Sequence, residues 1–326
     1  MIEDEAREIQ ELSVQLQSLS WVDTSMNWQK AGMNWLREGD ANSKFFHNMM
    51  SNKHRRNSLQ LIHVDGVLVD GVQNIQAAVL NHFSNHHRVT NVDRPRVNGL
   101  NFRKLTYAQA GTLVRPFSLE EVKQAVWDCD SFKSPGPDGI NVGFIKDFWP
   151  ELKDDFMRFL VEFHRNGKLT KGVNSTFIAL IPKVDSPQRL AGCMYKVLAK
   201  VLANMLRSIL NFVVLDAQPA FVRSKQILDG ILIANEVVDE AQRMKKELLL
   251  FQVDNEKAYD SIDLNYLNFV MMNMNFPTLW RKWIMECVGT AKTAVLVNGC
   301  SMKEFPLQRG LRQGDPLSPF LFLLAA

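Results

Sequence analysis

At 326 residues, 46% hydrophobic and 10% aromatic, the chain has enough apolar material for two or three globular units, which excludes a disordered polymer. Lysine and arginine exceed aspartate and glutamate by 38 to 35, and a net charge of +3 leaves a polyanionic partner neither required nor excluded. The four cysteines, Cys129, Cys193, Cys287 and Cys300, are scattered and suggest neither a zinc knuckle nor a disulfide framework, and no apolar run reaches membrane-spanning length.

The N-terminal string MIEDEAREIQ is acidic and lacks the pattern of a signal peptide, so an intracellular location, nuclear or cytoplasmic, is expected, with no membrane partner. Ile9, Leu12, Leu16 and Leu19 recur at helical spacing and predict an amphipathic helix over residues 2–19, with a second helix over 26–52. LQLIHVDGVLVD predicts a hairpin turning at Asp65-Gly66, followed by a helix through QNIQAAVLNHFSNHH. The segment NVDRPRVNGLNF separates this leading region from the rest.

Ser118 and Glu121 form a capping box that opens a helix, and that helix runs out into SFKSPGPDGI, which cannot be regular structure. A helix is predicted from Lys146 to about His164, a β-rich run in STFIALIPK, and a long helix from about Met194 to Val214. Further on come a helix over 228–246, the strand LLLFQV, helices near 264–274 and 278–288, the strand pair TAVLVNG and EFPLQRG, and a terminal apolar helix. Helices interleaved with few short strands predict an α+β fold with a sheet backed by helices, not a doubly wound parallel sheet. The string RQGDPLSPFLFLLAA stops inside an apolar helical stretch without a cap and reads as a cut edge.

Two stretches carry chemistry. In LLLFQVDNEKAYDSID an apolar strand ends on Asp254, and Asp260 follows behind Tyr259. A carboxylate at the buried end of a strand is either a cap for the next turn or a ligand for a hard cation, and the strand alone leaves both open. In RGLRQGDPLSP, Gly310 and Gly314 flank Arg312 and Gln313, so another molecule can approach the backbone closely, and Ser318-Pro319 opens a helix. An ordinary junction between loop and helix has the same pattern.

Taken together, WLREGDANSKFFH, SPGPDGI, FIALIPK, YKVLAKVLANML, AQPAFVRSKQILDGILIANEVVDE, VDNEKAYDSID and RGLRQGDPLSPFLF resemble, in order and over nearly the whole chain, the reverse transcriptases of non-LTR (LINE-type) retrotransposons, the plant branch in particular. The resemblance implies an RNA-directed DNA polymerase with a right-hand architecture. Residues 1–110 would be a mostly helical linker upstream of the polymerase, 111–245 a fingers-like region and 246–326 a partial palm. It implies that Asp254 coordinates two Mg²⁺ ions as a catalytic residue, with an RNA template, a DNA primer and dNTPs as partners. Tyr259 matches the aromatic gate against a 2′-hydroxyl, although a tyrosine there also serves as a core aromatic at a helix start. Gln313 and Gly314 match the element beside the incoming nucleotide, and Arg312 supports that loop or reaches a phosphate. Lys183 matches a fingers lysine near the triphosphate, or is a solvated residue at a strand end.

The chain departs from that pattern at three points. No Ala-Asp-Asp box, which supplies the other catalytic carboxylates, and no thumb occur before Ala326, so a truncated domain without turnover is expected. An Arg-Pro-Ile-Ser tract is missing where Leu190 runs into Ala191 and Gly192, and the loss is expected to break the register of the surrounding hairpin. Asn255 and Met205 replace an apolar residue and an arginine. Two alternatives stand beside the polymerase: a non-catalytic RNA-binding remnant using Lys53, Arg55 and Arg56, and a group II intron maturase-like reverse transcriptase, against which GDANSKFFH argues.

Overall fold

The computed structural model describes residues 48, 51–52, 55, 58–64, 66–89, 99–131, 133–180, 188–214, 227–249 and 258–325. The first elements are a hairpin of β1 (Leu61–Val64) and β2 (Val67–Asp70), turning at Gly66 with φ 81°, and helix α1 (Val72–His86). The helices expected over 2–19 and 26–52 lie almost entirely outside the described residues.

Helices α2 (Tyr107–Thr112), α3 (Leu119–Trp127), α4 (Val142–Asp147) and α5 (Trp149–Asn166) follow. Helix α3 opens on the expected capping box, with Ser118 accepting from the Glu121 amide and the Glu121 side chain reaching back. Thr106 and Gln109 form a second box at α2. The helix predicted from Lys146 is two helices, because Asn141 accepts from the Phe144 amide and starts α4 upstream. Gly167, at φ 63°, ends α5 in the left-handed conformation.

Strands β3 (Ser175–Ala179), β4 (Gln188–Ala191), β5 (Lys292–Val297), β6 (Cys300–Ser301) and β7 (Phe305–Pro306) make one mixed sheet, ordered β4-β3-β5-β6 with β7 also on β5. Only β3 and β5 are parallel, with Thr176 opposite Thr293 and Ile178 opposite Val295. Their threonine hydroxyls add cross-strand bonds to the carbonyls of Lys292 and Thr176 at 3.2 Å, so these polar groups are satisfied inside the sheet. β4 pairs antiparallel with β3 over four unbroken residue pairs, Thr176↔Ala191 to Ala179↔Gln188. This corrects the expectation of a broken register: Gln188 to Ala191 directly complete the ladder despite the missing tract.

One face of the sheet, with Ile178, Val295, Val297 and Phe305, is covered by Ile75 and Val79 of α1. Asn298 ties the start of the hairpin to the β5–β6 turn, accepting from the Leu59 amide at 2.7 Å and donating to its carbonyl at 3.1 Å. The larger core gathers around α6 (Cys193–Val213), which buries residues on nearly all sides, as a central helix must. Helix α7 (Ile227–Met244), α8 (Leu264–Asn273), α9 (Thr278–Gly289) and α10 (Ser318–Ala325) complete the described fold, and the α9 tryptophans Trp280 and Trp283 are fully buried. Helices and a mixed sheet make the fold α+β. Of the predicted strand LLLFQV, Leu248 and Leu249 are irregular and the other four residues lie outside the described residues.

Candidate active site

The loop joining β7 to α10 is seated on the turn that carries Tyr259 and Asp260. The Gly310 amide donates to the Ile262 carbonyl at 2.8 Å and the Leu311 amide to the Tyr259 carbonyl at 2.7 Å. Gly310 is needed twice over. Its φ is 83°, and a Cβ would lie 2.8 Å from the Asp260 carbonyl oxygen and 2.9 Å from its Cα. The Tyr259 ring rests half-buried against Phe322 at 5.3 Å, and burial raises its phenol pKa. Asp260 meets His86 of α1 at 3.4 Å, and Arg309 donates to the His86 carbonyl at 2.8 Å, so the end of α1 supports both halves of this contact.

Beyond Gly310 the chain makes a tight turn from Arg312 to Asp315, closed by the Asp315 amide bonding to the Arg312 carbonyl at 3.3 Å. Gly314, at φ 79°, occupies the position where such a turn needs a left-handed residue, and nothing lies within 4 Å of where its Cβ would be. The turn therefore has open space at its tip. Beside Gly314, the amide oxygen of half-buried Gln313 has no partner among the described residues.

Arg312 is only 5% exposed, and internal groups occupy its guanidinium. Nη2 donates to Asn174 Oδ1 at 2.6 Å and to the Cys287 carbonyl at 2.8 Å, Nε faces Asp315 at 3.4 Å, and the group stacks 4.0 Å over the Tyr195 ring. The Tyr195 hydroxyl donates to Asp315 at 2.6 Å, and the Leu317 amide donates to the other carboxylate oxygen at 2.9 Å. Burial, followed by smaller effects of Arg312 and Asp315, pushes the Tyr195 phenol well above its ordinary value. Of the two roles open to Arg312, this burial serves loop support and keeps the guanidinium away from an external phosphate.

The SPGPDGI loop docks beside the same helix. Gly136 lies so close to Ala191 and Gly192 that a Cβ would come within 2.4 Å of the Ala191 carbonyl. Asp138 accepts from the Cys193 amide at the start of α6, where a carboxylate complements the helix dipole. A pocket of about 300 Å³ lies between them, lined by Asp138, Lys171, Ser175 and Tyr195.

The structure thus brings Tyr259 and the Arg312–Gln313–Gly314 turn together. Asp254 and Lys183 lie outside the described residues, as do Lys53 and Arg56. Arg55 is exposed and bonds Asn52 at 2.9 Å. Asn174, Tyr195 and Asp315 were not singled out from the sequence. Asp315 sits before a proline and a helix start, a usable capping signal, whereas nothing local marks Asn174 or Tyr195.

Comparison with known proteins connects these elements to a chemistry. Residues 181–326 match the family described as reverse transcriptase (RNA-dependent DNA polymerase), a span that includes Tyr259 and the whole Arg312–Asp315 turn. This stretch is a reverse transcriptase domain. The chain is similar to the "Transposon TX1 uncharacterized 149 kDa protein" of Xenopus laevis, 30% identical over 221 residues, covering 65% of this chain and 17% of that protein. It is 25% identical over 219 residues to the "Retrovirus-related Pol polyprotein from type-1 retrotransposable element R2" of Nasonia vitripennis, covering 64% and 20%. It is 24% identical over 220 residues to the corresponding R2 polyprotein of Popillia japonica, covering 64% and 29%. The chain therefore spans less than a third of the length of these curated relatives, and its reverse transcriptase domain is of the non-LTR retrotransposon kind.

Proposed function

We propose that the chain contributes the nucleotide- and template-facing part of an RNA-directed DNA polymerase, acting inside the cell on an RNA template, a DNA primer and dNTPs. The observation that carries this reading is the seating of the glycine-flanked turn on the Tyr259 backbone, which leaves Gly314 facing open space beside half-buried Gln313. In it, residues 111–245 act as fingers and 246–326 as the first part of a palm, behind the linker of residues 1–110. Tyr259 offers a flat ring, fixed against Phe322, to the sugar of an incoming nucleotide, where a rigid group excludes a 2′-hydroxyl by collision. Gly314, exposed and without a side chain, lets the base pair approach the backbone, and half-buried Gln313 lies beside it. Lys183, outside the described residues, is assigned to the triphosphate on the strength of the family match alone.

The family works with divalent metal ions, and Mg²⁺ suits a carboxylate ligand. When bound, the ions activate the primer hydroxyl and neutralise charge on the triphosphate. Among the described residues no group of three or more metal-ligating side chains occurs, so the assignment rests on Asp254 and no step is derived through the metal. Among those residues, also, no helix is long and apolar enough to cross a membrane.

Photocrosslinking of a reactive deoxynucleoside triphosphate to the chain, with an RNA-templated DNA primer and a divalent ion, tests the reading. Capture should require a template-matched nucleotide and fall about tenfold in Tyr259→Ala and Gln313→Ala, the effect of losing roughly 1.4 kcal/mol of contact. Capture that ignores the template and both substitutions overturns it.

A further inference from the structure

We propose that Tyr195 and Asn174 are positioning residues for the nucleotide-facing turn, holding Gln313 and Gly314 in place through Arg312 and Asp315. The inference rests on the polymerase reading of that turn and extends it to two residues from distant parts of the fold.

Three observations carry it. First, both ends of the turn are gripped and its tip is not. Arg312 is held by Asn174 and Cys287, Asp315 is held by Tyr195, and between them Gly314 faces open space. Second, the anchors belong to elements that are also fixed by bonds outside the loop. Asn174 precedes β3 and donates to the Cys287 carbonyl at 3.0 Å and to Thr290 at 2.9 Å, so it is fixed to the end of α9 before it meets Arg312. Tyr195, 1% exposed, is fixed in the first turn of α6, whose start receives Asp138 from the SPGPDGI loop. Displacement of α6 or of α9 is therefore transmitted to the turn.

The third observation is the cost of the arrangement. The side chains of Arg312 and Asp315 are 4% and 7% exposed, and Arg312 Nη1 is buried without a partner among the described residues. Taking two charges from water is expensive, and apolar residues of similar volume often serve stability as well or better. A buried guanidinium with fixed directions instead defines one geometry, because its donors accept partners only in its own plane. The same geometry makes the Tyr195 hydroxyl specific: its ring supplies the stack under Arg312, and its oxygen sets where Asp315 lies.

Hydrogen–deuterium exchange and nucleotide capture on the full chain, unmutated and as Tyr195→Phe and Asn174→Ala, test the proposal. Tyr195→Phe keeps the ring and its stack and removes only the bond to Asp315. Exchange over residues 311–317 should accelerate about tenfold, as loss of one hydrogen bond to a charged group predicts, with exchange in α5 unchanged. The nucleotide concentration for half-maximal capture should rise about tenfold while the saturating level is kept. Unchanged exchange in residues 311–317 of Tyr195→Phe overturns the proposal, as does faster exchange with an unaltered nucleotide dependence, which leaves Tyr195 a plain structural role. If Asn174→Ala also loosens α5, it reports unfolding, and Tyr195→Phe decides alone. Absence of template-dependent capture by the unmutated chain defeats the polymerase reading itself, and with it any nucleotide-positioning role; the exchange data then show separately whether the clamp holds the turn.

Discussion

Gly310 and Gly314 have nearly the same backbone angle, φ 83° and 79°, yet their surroundings differ completely. A Cβ at Gly310 would meet Asp260 backbone atoms at 2.8–3.1 Å, and one at Gly314 would meet nothing. Gly314→Ala should therefore cost about 1 kcal/mol, the price of a left-handed alanine alone, and Gly310→Ala about 2–3 kcal/mol, since the Asp260 backbone must also move. Urea denaturation of both variants checks the ranking, and equal losses would mean that the two loops are not in contact in solution. At this scale the glycines around the Arg312–Gln313 pair form a local pattern, whereas the roles expected of Tyr259 and Gln313 come from the family resemblance alone. Asn174 and Tyr195 were not legible, because their importance arises from bonds to Arg312 and Asp315, 138 and 120 positions away. No local pattern encodes such a bond.

Among the elements, α1 has the clearest consequence. The hairpin and helix that the sequence sets apart as a leading region share a core with the sheet through Ile75 and Val79. Ile75, 1% exposed, should cost about 3 kcal/mol when replaced by alanine, and Val72, 59% exposed, no more than about 0.5 kcal/mol. Thermal unfolding of Ile75→Ala should show one transition shifted downward, whereas a shift confined to a minor separate transition would show that α1 unfolds independently. The hairpin, the N-terminal capping box of α3 and the long α6 could be read from turn residues, capping residues and apolar periodicity, which are short-range signals. The split of α4 from α5, and α2 itself, were missed although Asn141 and the Thr106–Gln109 box announce them. The parallel pairing of β3 with β5 left no trace, since register between distant strands depends on packing and not on either strand alone.

On the scale of the whole molecule, three buried acidic groups are held neutral. Burial pushes the Cys193 thiol from 9.0 to about 12, helped by Asp138, and raises Cys287 and Tyr195 strongly as well. The unfolded chain ionises these groups near 9.0 and 10.0, so the stability they contribute is complete below about pH 9 and declines as pH rises toward 12. Burial raises the less buried Cys129 and Tyr259 in the same sense, whereas Lys196, lowered by burial, acts oppositely as pH approaches 10.5, one group against five. Denaturant midpoints should therefore fall between pH 9 and 11, and at pH 8 a maleimide should label exposed Cys300 rapidly and buried Cys193 and Cys287 only on unfolding. A flat midpoint or equal labelling rates would contradict this burial. The sheet also imposes an order in time. Thr176 and Thr293, partners at its centre, are 117 residues apart, so β3 has no parallel neighbour until β5 has been synthesised. Such long-range pairing folds slowly, so during translation Ser175–Ala179 waits with the edge that β5 will cover still unpaired, when an open strand edge is most prone to mispairing.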